Sequence, residues 1–359
     1  MTKATLITMV LASTLATACG DDDAGTGGGT TTSTTSTTSS TTSGATTTSG
    51  GQGGGGGAGG GELQVEVLKS FDAAQFQLPE GIVVRGSDLF LGFAFTSAVE
   101  RFELDGSGET PFSTLPVPAN SSGFMTGLTV DPAGDVYAAL VSFTGDPVPG
   151  VYRVPAAGGA PVLFASHPSM VFPNGFAWDD AGTLFVTDSA TGTILSIDSN
   201  GAATPWLADP ILAGDPTACG GQADDLVVGA NGVVWTGDAL LVANSDKGLV
   251  ARIPIEADGS AGAVETLAGP DCAKLAGIDG ITQDEDGALV AAINRADRLV
   301  RIDEGGAVTT LLEGAPLDFP ASVTFAGSGD ERALYVTSFA LTRALAGEPA
   351  SPALLRVRF

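Results

Sequence analysis

A short phrase recurs six times between Pro79 and Phe359, and its spacing limits what this chain can fold into. The fullest copy runs from Phe172-Pro173-Asn174-Gly175-Phe176-Ala177-Trp178 through Asp179-Asp180-Ala181-Gly182 to Thr183-Leu184-Phe185-Val186-Thr187-Asp188. The other copies begin at Glu80-Gly81-Ile82, Thr126-Gly127-Leu128, Asn231-Gly232-Val233, Asp279-Gly280-Ile281 and, in degenerate form, Ala321-Ser322-Val323. Successive copies lie 46, 48, 57, 48 and 42 residues apart. A strand-rich unit repeated at that period is the signature of a propeller array.

Every copy has the same internal order. A short apolar strand follows the glycine, then an acidic turn ending in Gly, then a strand that reads as alternating. Ser189 to Gly192 turns into Thr193 to Ile197, and Ala203 to Leu207 reads as a weaker fourth strand. Four antiparallel strands in each of six units predict an all-β, six-bladed β-propeller over residues 62–359. Gln64 to Phe71 precedes the first copy and is expected to complete the last blade beside Ala353 to Phe359, closing the ring. The alternative is a seventh blade built around 64–71, for which there is no seventh glycine phrase.

Innermost strands of a propeller converge on its axis, so the residue before each recurrent glycine is a candidate site position. That column reads Glu80, Thr126, Asn174, Asn231, Asp279 and Ala321. Two carboxylates and two amide carbonyls make an all-oxygen set of the kind hard cations take. Glu80, Asn174, Asn231 and Asp279 are therefore the candidate ligands of one divalent ion. Ca²⁺ is expected first, with Mg²⁺, Mn²⁺ or Zn²⁺ as alternatives. The competing reading is that Asn-Gly and Asp-Gly are simply common turn pairs. Phe124, Met125, Thr126, Phe172 and Phe319 stand in or just before the column. They are expected to crowd the same mouth as contacts for a largely apolar substrate, unless they only pack between inner strands.

The N-terminus reads as an export signal over residues 1–18: Lys3, an apolar run from Leu6 to Ala16, then small residues before Cys19. That junction resembles a bacterial lipobox, although Ala16 stands where leucine is usual. Lipidation of Cys19 would hold the protein to a membrane on the periplasmic or outer surface side. Without it, the protein would be secreted. Residues 19–61, almost all Gly, Thr, Ser and Asp, are expected to be a flexible tether. The formal charge of −26 counts against nucleic acid as a partner. A small-molecule ligand and a monomer are expected.

Three cysteines occur. Cys219 and Cys272 fall in loops entering consecutive repeats on one face, and after export they are free to form a disulfide. The alternative is two separate buried thiols.

The order of the axial pairs carries a family likeness. Pro79-Glu80-Gly81 in the first copy, Pro173-Asn174-Gly175 and Ala230-Asn231-Gly232 in the third and fourth, and Ile278-Asp279-Gly280 in the fifth resemble one family. It is the senescence marker protein/gluconolactonase/luciferin-regenerating enzyme-like family, with diisopropyl fluorophosphatase a more distant likeness. The resemblance covers roughly residues 63 to 359. It implies a six-bladed propeller with one catalytic divalent ion at the axis and a lactone or related ester as substrate. Asp279 would then orient or deprotonate the attacking water.

Two departures stand out. No Arg precedes Asn174, where the family commonly carries one that helps hold sugar acids. The single histidine, His167, supplies no axial pair. A non-catalytic surface propeller with a structural ion is the alternative function.

Overall fold

The computed structural model describes residues 63–359. The expected export signal, Cys19 and tether lie outside the described residues. Twenty-four strands form six sheets of four. The innermost strands are Pro79–Arg85, Gly123–Val130, Pro173–Trp178, Ala230–Trp235, Ile278–Gln283 and Pro320–Ala326. Each packs against the next, and the sixth packs against the first. The ring is closed where sequence reading placed the seam. Gln64–Ser70 pairs antiparallel with Ala353–Arg358, from Gln64 opposite Arg358 to Ser70 opposite Ala353. Six blades account for all the described strands, and there is no seventh among the described residues.

The second strand of each blade departs from the alternation its sequence suggests. Leu184–Asp188, Val136–Ser142 and Ala239–Asn244 are buried along their whole length. A blade is covered on both faces by its neighbours, so both sides of its second strand are interior. Leucine, valine and alanine therefore occupy consecutive positions. Interblade clusters such as Phe90, Val99, Met125, Leu140 and Tyr152 fill the space between.

Much of the acidic character is turn chemistry. Asp179 Oδ1 accepts the backbone N–H groups of Ala181 at 2.9 Å and Thr183 at 2.7 Å. Asp198 does the same for Asn200 and Ala202, and Asp303 for Gly305 and Ala307. These are Asx turns that fold a strand back on itself. Among the described residues no helix is long and apolar enough to cross a membrane. The one α-helix among the described residues, α1 (Leu341–Ala346), interrupts blade six between its second and third strands.

Candidate active site

In every innermost strand the ladder to the second strand breaks at the axial residue. Register shifts fall between Pro79 and Gly81, Met125 and Leu128, Pro173 and Phe176, Ala230 and Val233, Ile278 and Ile281, and Pro320 and Val323. A bulge frees a residue from pairing and re-aims its side chain. Glu80, Asn174, Asn231 and Asp279 are buried at these bulges, each at most 7 % exposed, and all four line one cavity.

The glycine that follows is explained by the next blade, not by a turn. A Cβ on Gly81, Gly127, Gly175, Gly232 or Gly280 would lie 2.4 to 2.7 Å from the carbonyl oxygen of the next copy's axial residue. No side chain fits at that distance. The turn-pair reading of Asn-Gly therefore gives way to close approach around the axis. In the sixth copy Ser322 replaces the glycine and Ala321 brings no polar side chain.

A second column, which sequence reading missed, holds the amides in place. Asn174 Nδ2 donates to Ser189 Oγ at 3.1 Å, and Asn231 Nδ2 to Ser245 Oγ at 2.9 Å. With each nitrogen bonded to a serine, the two Oδ1 atoms are left able to serve as metal ligands. Asn294, at the matching place in blade five, donates from Nδ2 to Asp279 Oδ2 at 3.0 Å. Aligning the copies would have revealed this column, since Ser189, Ser245 and Asn294 lie 15, 14 and 15 residues beyond their axial partners. Thr126 is spent differently: its hydroxyl donates to the Pro173 carbonyl at 2.8 Å.

The two carboxyl groups are held in mutual conflict. Burial pushes Glu80 well above the usual carboxylate range, and the neighbouring Asp279 charge pushes it further. Burial raises Asp279 to about 7, against hydrogen bonds from Asn294 and Asn231 that favour its ionised form. Glu80 Oε2 is buried without any hydrogen-bond partner. A cation between the carboxylates would satisfy that oxygen and cancel the repulsion. The donor chemistry and the orphaned oxygen thus fit a hard divalent ion. Among the described residues no group of three or more His, Cys, Asp or Glu side chains is placed to hold a metal, so any such site depends on the asparagine carbonyls.

Above the ring lies a cavity of about 590 Å³. Phe124, Thr126, Phe172 and Phe319 line it together with the axial oxygens. Met125 does not, which corrects the expectation for that residue. It is fully buried between blades one and two, because its neighbour Phe124 takes the cavity side of the strand. The cavity also receives residues that the repeat pattern could not indicate. Phe76 comes from the segment entering blade one, Phe95 from the connection between that blade's second and third strands, and Leu341 and Leu345 from α1. Asp225, Leu226 and Arg295 come from loops of blades four and five. The Leu-x-x-x-Leu spacing was the available signal for α1, and the 57-residue interval for the inserted loop.

Cys219 and Cys272 are bonded, with their Cα atoms 5.3 Å apart. The bridge ties the inserted loop, which carries Asp225 and Leu226, to the loop entering blade five. His167 is spent locally, its Nδ1 accepting the Ser169 N–H at 3.1 Å, and it does not line the cavity.

Comparison with known proteins agrees with this architecture. The SMP-30/Gluconolactonase/LRE-like region matches the chain over residues 68–238 and 211–340. No curated protein matches it. Among solved structures, a luciferin-regenerating enzyme is similar at TM-score 0.59 and 15% identity, covering 83% of this chain and 95% of its own. Regucalcin from Agrobacterium tumefaciens, described as a calcium-binding protein, is similar at TM-score 0.59 and 16% identity, covering 82% and 94%. Virginiamycin B lyase from Staphylococcus aureus is similar at TM-score 0.52 and 14% identity, covering 83% and 100%. At these identities the likeness to solved structures establishes the fold.

Proposed function

The chain belongs to the SMP-30/Gluconolactonase/LRE-like family, and from that premise we propose that it is a metal-dependent hydrolase of a lactone or related ester. The observation that carries this reading is the buried Glu80–Asp279 pair, with its orphaned oxygen, facing two asparagines whose nitrogens are tied back. Glu80, Asn174, Asn231 and Asp279 would hold the ion, Ca²⁺ foremost. A divalent cation bound there supplies Lewis-acid polarisation of the ester carbonyl.

In this reading Asp279 handles the protons. Asn294 holds one of its oxygens, and a cation bound beside it would keep its carboxylate ionised and able to accept a proton. Asp279 takes a proton from the attacking water and returns it to the departing oxygen. The acyl C–O bond breaks, a C–O bond to water forms, and the product is a hydroxy acid. Phe124 and Phe172 shield the site from bulk solvent. In keeping with a disulfide-bonded fold, we place the protein outside the cytoplasm, anchored through Cys19.

One observation favours a second reading. The titratable side chains lining the cavity are Glu80, Asp225, Asp279 and Arg295, and the base proposed above, Asp279, is also an ion ligand. A non-catalytic ligand-binding propeller with a structural ion would carry the same set. Lactone turnover measured with calcium and with excess chelator separates the two. Turnover that chelator abolishes, about one divalent ion per chain by elemental analysis, and loss of both in Glu80→Gln/Asp279→Asn is the expected result. Undiminished turnover in that double variant would sink the hydrolase reading.

A further inference from the structure

The cavity above the axial ring has two unlike sides. Blades four and five present Asn231, Ser245, Asp279, Asn294 and Arg295. The opposite side is a run of phenylalanine rings in edge or tilted contact. Phe76 meets Phe95 at 6.0 Å between centroids, Phe95 meets Phe124 at 6.2 Å, and Phe124 meets Phe172 at 5.3 Å. Phe143 closes the group, 6.2 Å from Phe124. Leu341 and Leu345 of α1 and Phe319 extend it.

Part of this wall is core: Phe172 is buried, and Phe95, Phe124, Phe319 and Leu341 lie half-buried against the cluster around Leu78 and Phe339. Phe76, which lines the cavity, is 42% exposed and so is not buried by its own fold. Two of the rings are also held in place against backbone preference. Phe76 and Phe319 have φ of 55° and 51°, the left-handed region that bulky residues avoid. The surroundings enforce both turns. The Phe76 N–H donates to the Ala73 carbonyl. The Phe319 N–H donates to Asp297 Oδ1 at 2.6 Å, and Arg343 of α1 bridges Asp297 and Asp318 on either side of that turn. Strain of this kind costs about 1–3 kcal/mol per residue and persists where the surroundings over-determine it, typically at ligand clamps. Here it aims two aromatic rings at a cavity.

We infer that the site takes lactones or esters bearing an aryl or alkyl substituent, with the ester group over the axial oxygens and the substituent on the phenylalanine wall. This rests on the hydrolase reading for its chemistry but not for its binding. A volume of about 590 Å³ accommodates a ligand of drug-like size rather than a bare lactone ring. A polyhydroxylated sugar lactone would leave hydroxyls facing rings that offer no hydrogen bond, which costs affinity.

The test is a panel of γ-lactones sharing one ring and differing at the γ-carbon: methyl, hexyl and phenyl, with gluconolactone alongside, all in saturating calcium. The kcat/KM ratio of phenyl to methyl is expected to be at least about tenfold, from apolar burial in a pocket. Gluconolactone is expected to be the slowest. Phe124→Ala, and independently Leu345→Gln on α1, should collapse that ratio toward one. If lactones are cleaved but the ratio is flat, or gluconolactone is fastest, the inference is overturned while the hydrolase reading stands. If no lactone is cleaved, the hydrolase reading fails and binding decides. Calorimetry with the non-hydrolysable γ-phenyl and γ-methyl lactams should then show the phenyl compound binding about tenfold tighter in wild type and not in Phe124→Ala. Equal binding would overturn the inference on that branch too.

Discussion

The floor and the walls of the cavity are built by different means. The floor comes from the repeat itself. Each blade contributes one bulged residue, blades one to five add a glycine after it, and blades three to five add one supporting side chain 14 or 15 residues on. The walls combine Phe124, Phe172 and Phe319, which stand just before the axial column, with connections that do not repeat: the loops around Phe76 and Phe95, the inserted loop carrying Asp225, and α1. A floor made by symmetry is tightly constrained, because changing one position disturbs the neighbouring blade. A wall made from separate loops can be altered one loop at a time. In this architecture the ligand chemistry is therefore fixed by the fold, and the shape of the ligand is left to the loops.

That contrast predicts unequal responses to perturbation. The largest should come from proton and metal removal at the floor. Asp279 has a folded-state pKa of about 7 against an ordinary value of 3.8, so the metal-free native state binds the proton more tightly than the unfolded chain. The corresponding stability is present below about pH 4 and is lost as pH rises through 7, at about 1.4 kcal/mol per unit of pKa difference. Glu80 shifts in the same direction. Chelator-treated protein should thus melt at lower temperature at pH 8 than at pH 5. Calcium should restore the melting temperature at pH 8, and Asp279→Asn should flatten the dependence. A melting temperature that rises with pH in the metal-free protein would contradict this account.

A smaller effect is expected from one methyl group at the axis. Gly175→Ala would place a Cβ 2.5 Å from the Asn231 carbonyl oxygen and 3.1 Å from the Gly232 Cα. Blades three and four must separate to admit it, at about 1–3 kcal/mol, and Asn231 moves with its strand. Denaturant unfolding should show that loss together with weaker calcium binding. Gly182→Ala, in an exposed turn with nothing within 4 Å, is the control. Its left-handed φ of 82° costs stability, but calcium affinity should not change. Equal calcium binding by both variants would mean the glycine column does not support the ligands.

The smallest effect should be at the wall. Phe76→Gly removes an exposed ring and relieves a left-handed backbone, so stability should change by less than about 1 kcal/mol in either direction. A loss beyond that range, measured by denaturant unfolding, would mean Phe76 is a structural residue and belongs to the core.

The same division explains what the sequence made legible. The closed ring, the order of the axial oxygens and the Cys219–Cys272 pair could all be read. Geometry repeated six times imposes a repeated residue choice, and Gly127 and Gly232 recur for one steric reason. Alternation within the second strands was misread because both faces of a blade are covered. Met125 was misplaced because the bulge directly after it obscures which neighbour takes the axial side, and Phe124 takes it. Phe76, Phe95 and Arg295 were invisible because nothing in a single sequence aligns one loop with another around a cavity, and the spacing of Leu341 and Leu345 could signal α1 but not its place at the cavity.

The seam in blade six has a consequence for how the chain reaches this state. Glu66 on the first strand meets Arg356 on the last, across 290 residues of sequence. Bringing together the ends of so long a segment costs about 5 kcal/mol in chain entropy, and only one strand-to-strand ladder rewards it directly. Every other blade can assemble from residues close to one another in the chain. Gln64–Ser70 therefore has no partner until Ala353–Arg358 has been made. Until then blade six presents an unpaired sheet edge open to any extended segment nearby. The six-fold body is locally encoded, but blade six is completed only by pairing two strands whose contacting residues, Glu66 and Arg356, lie 290 positions apart.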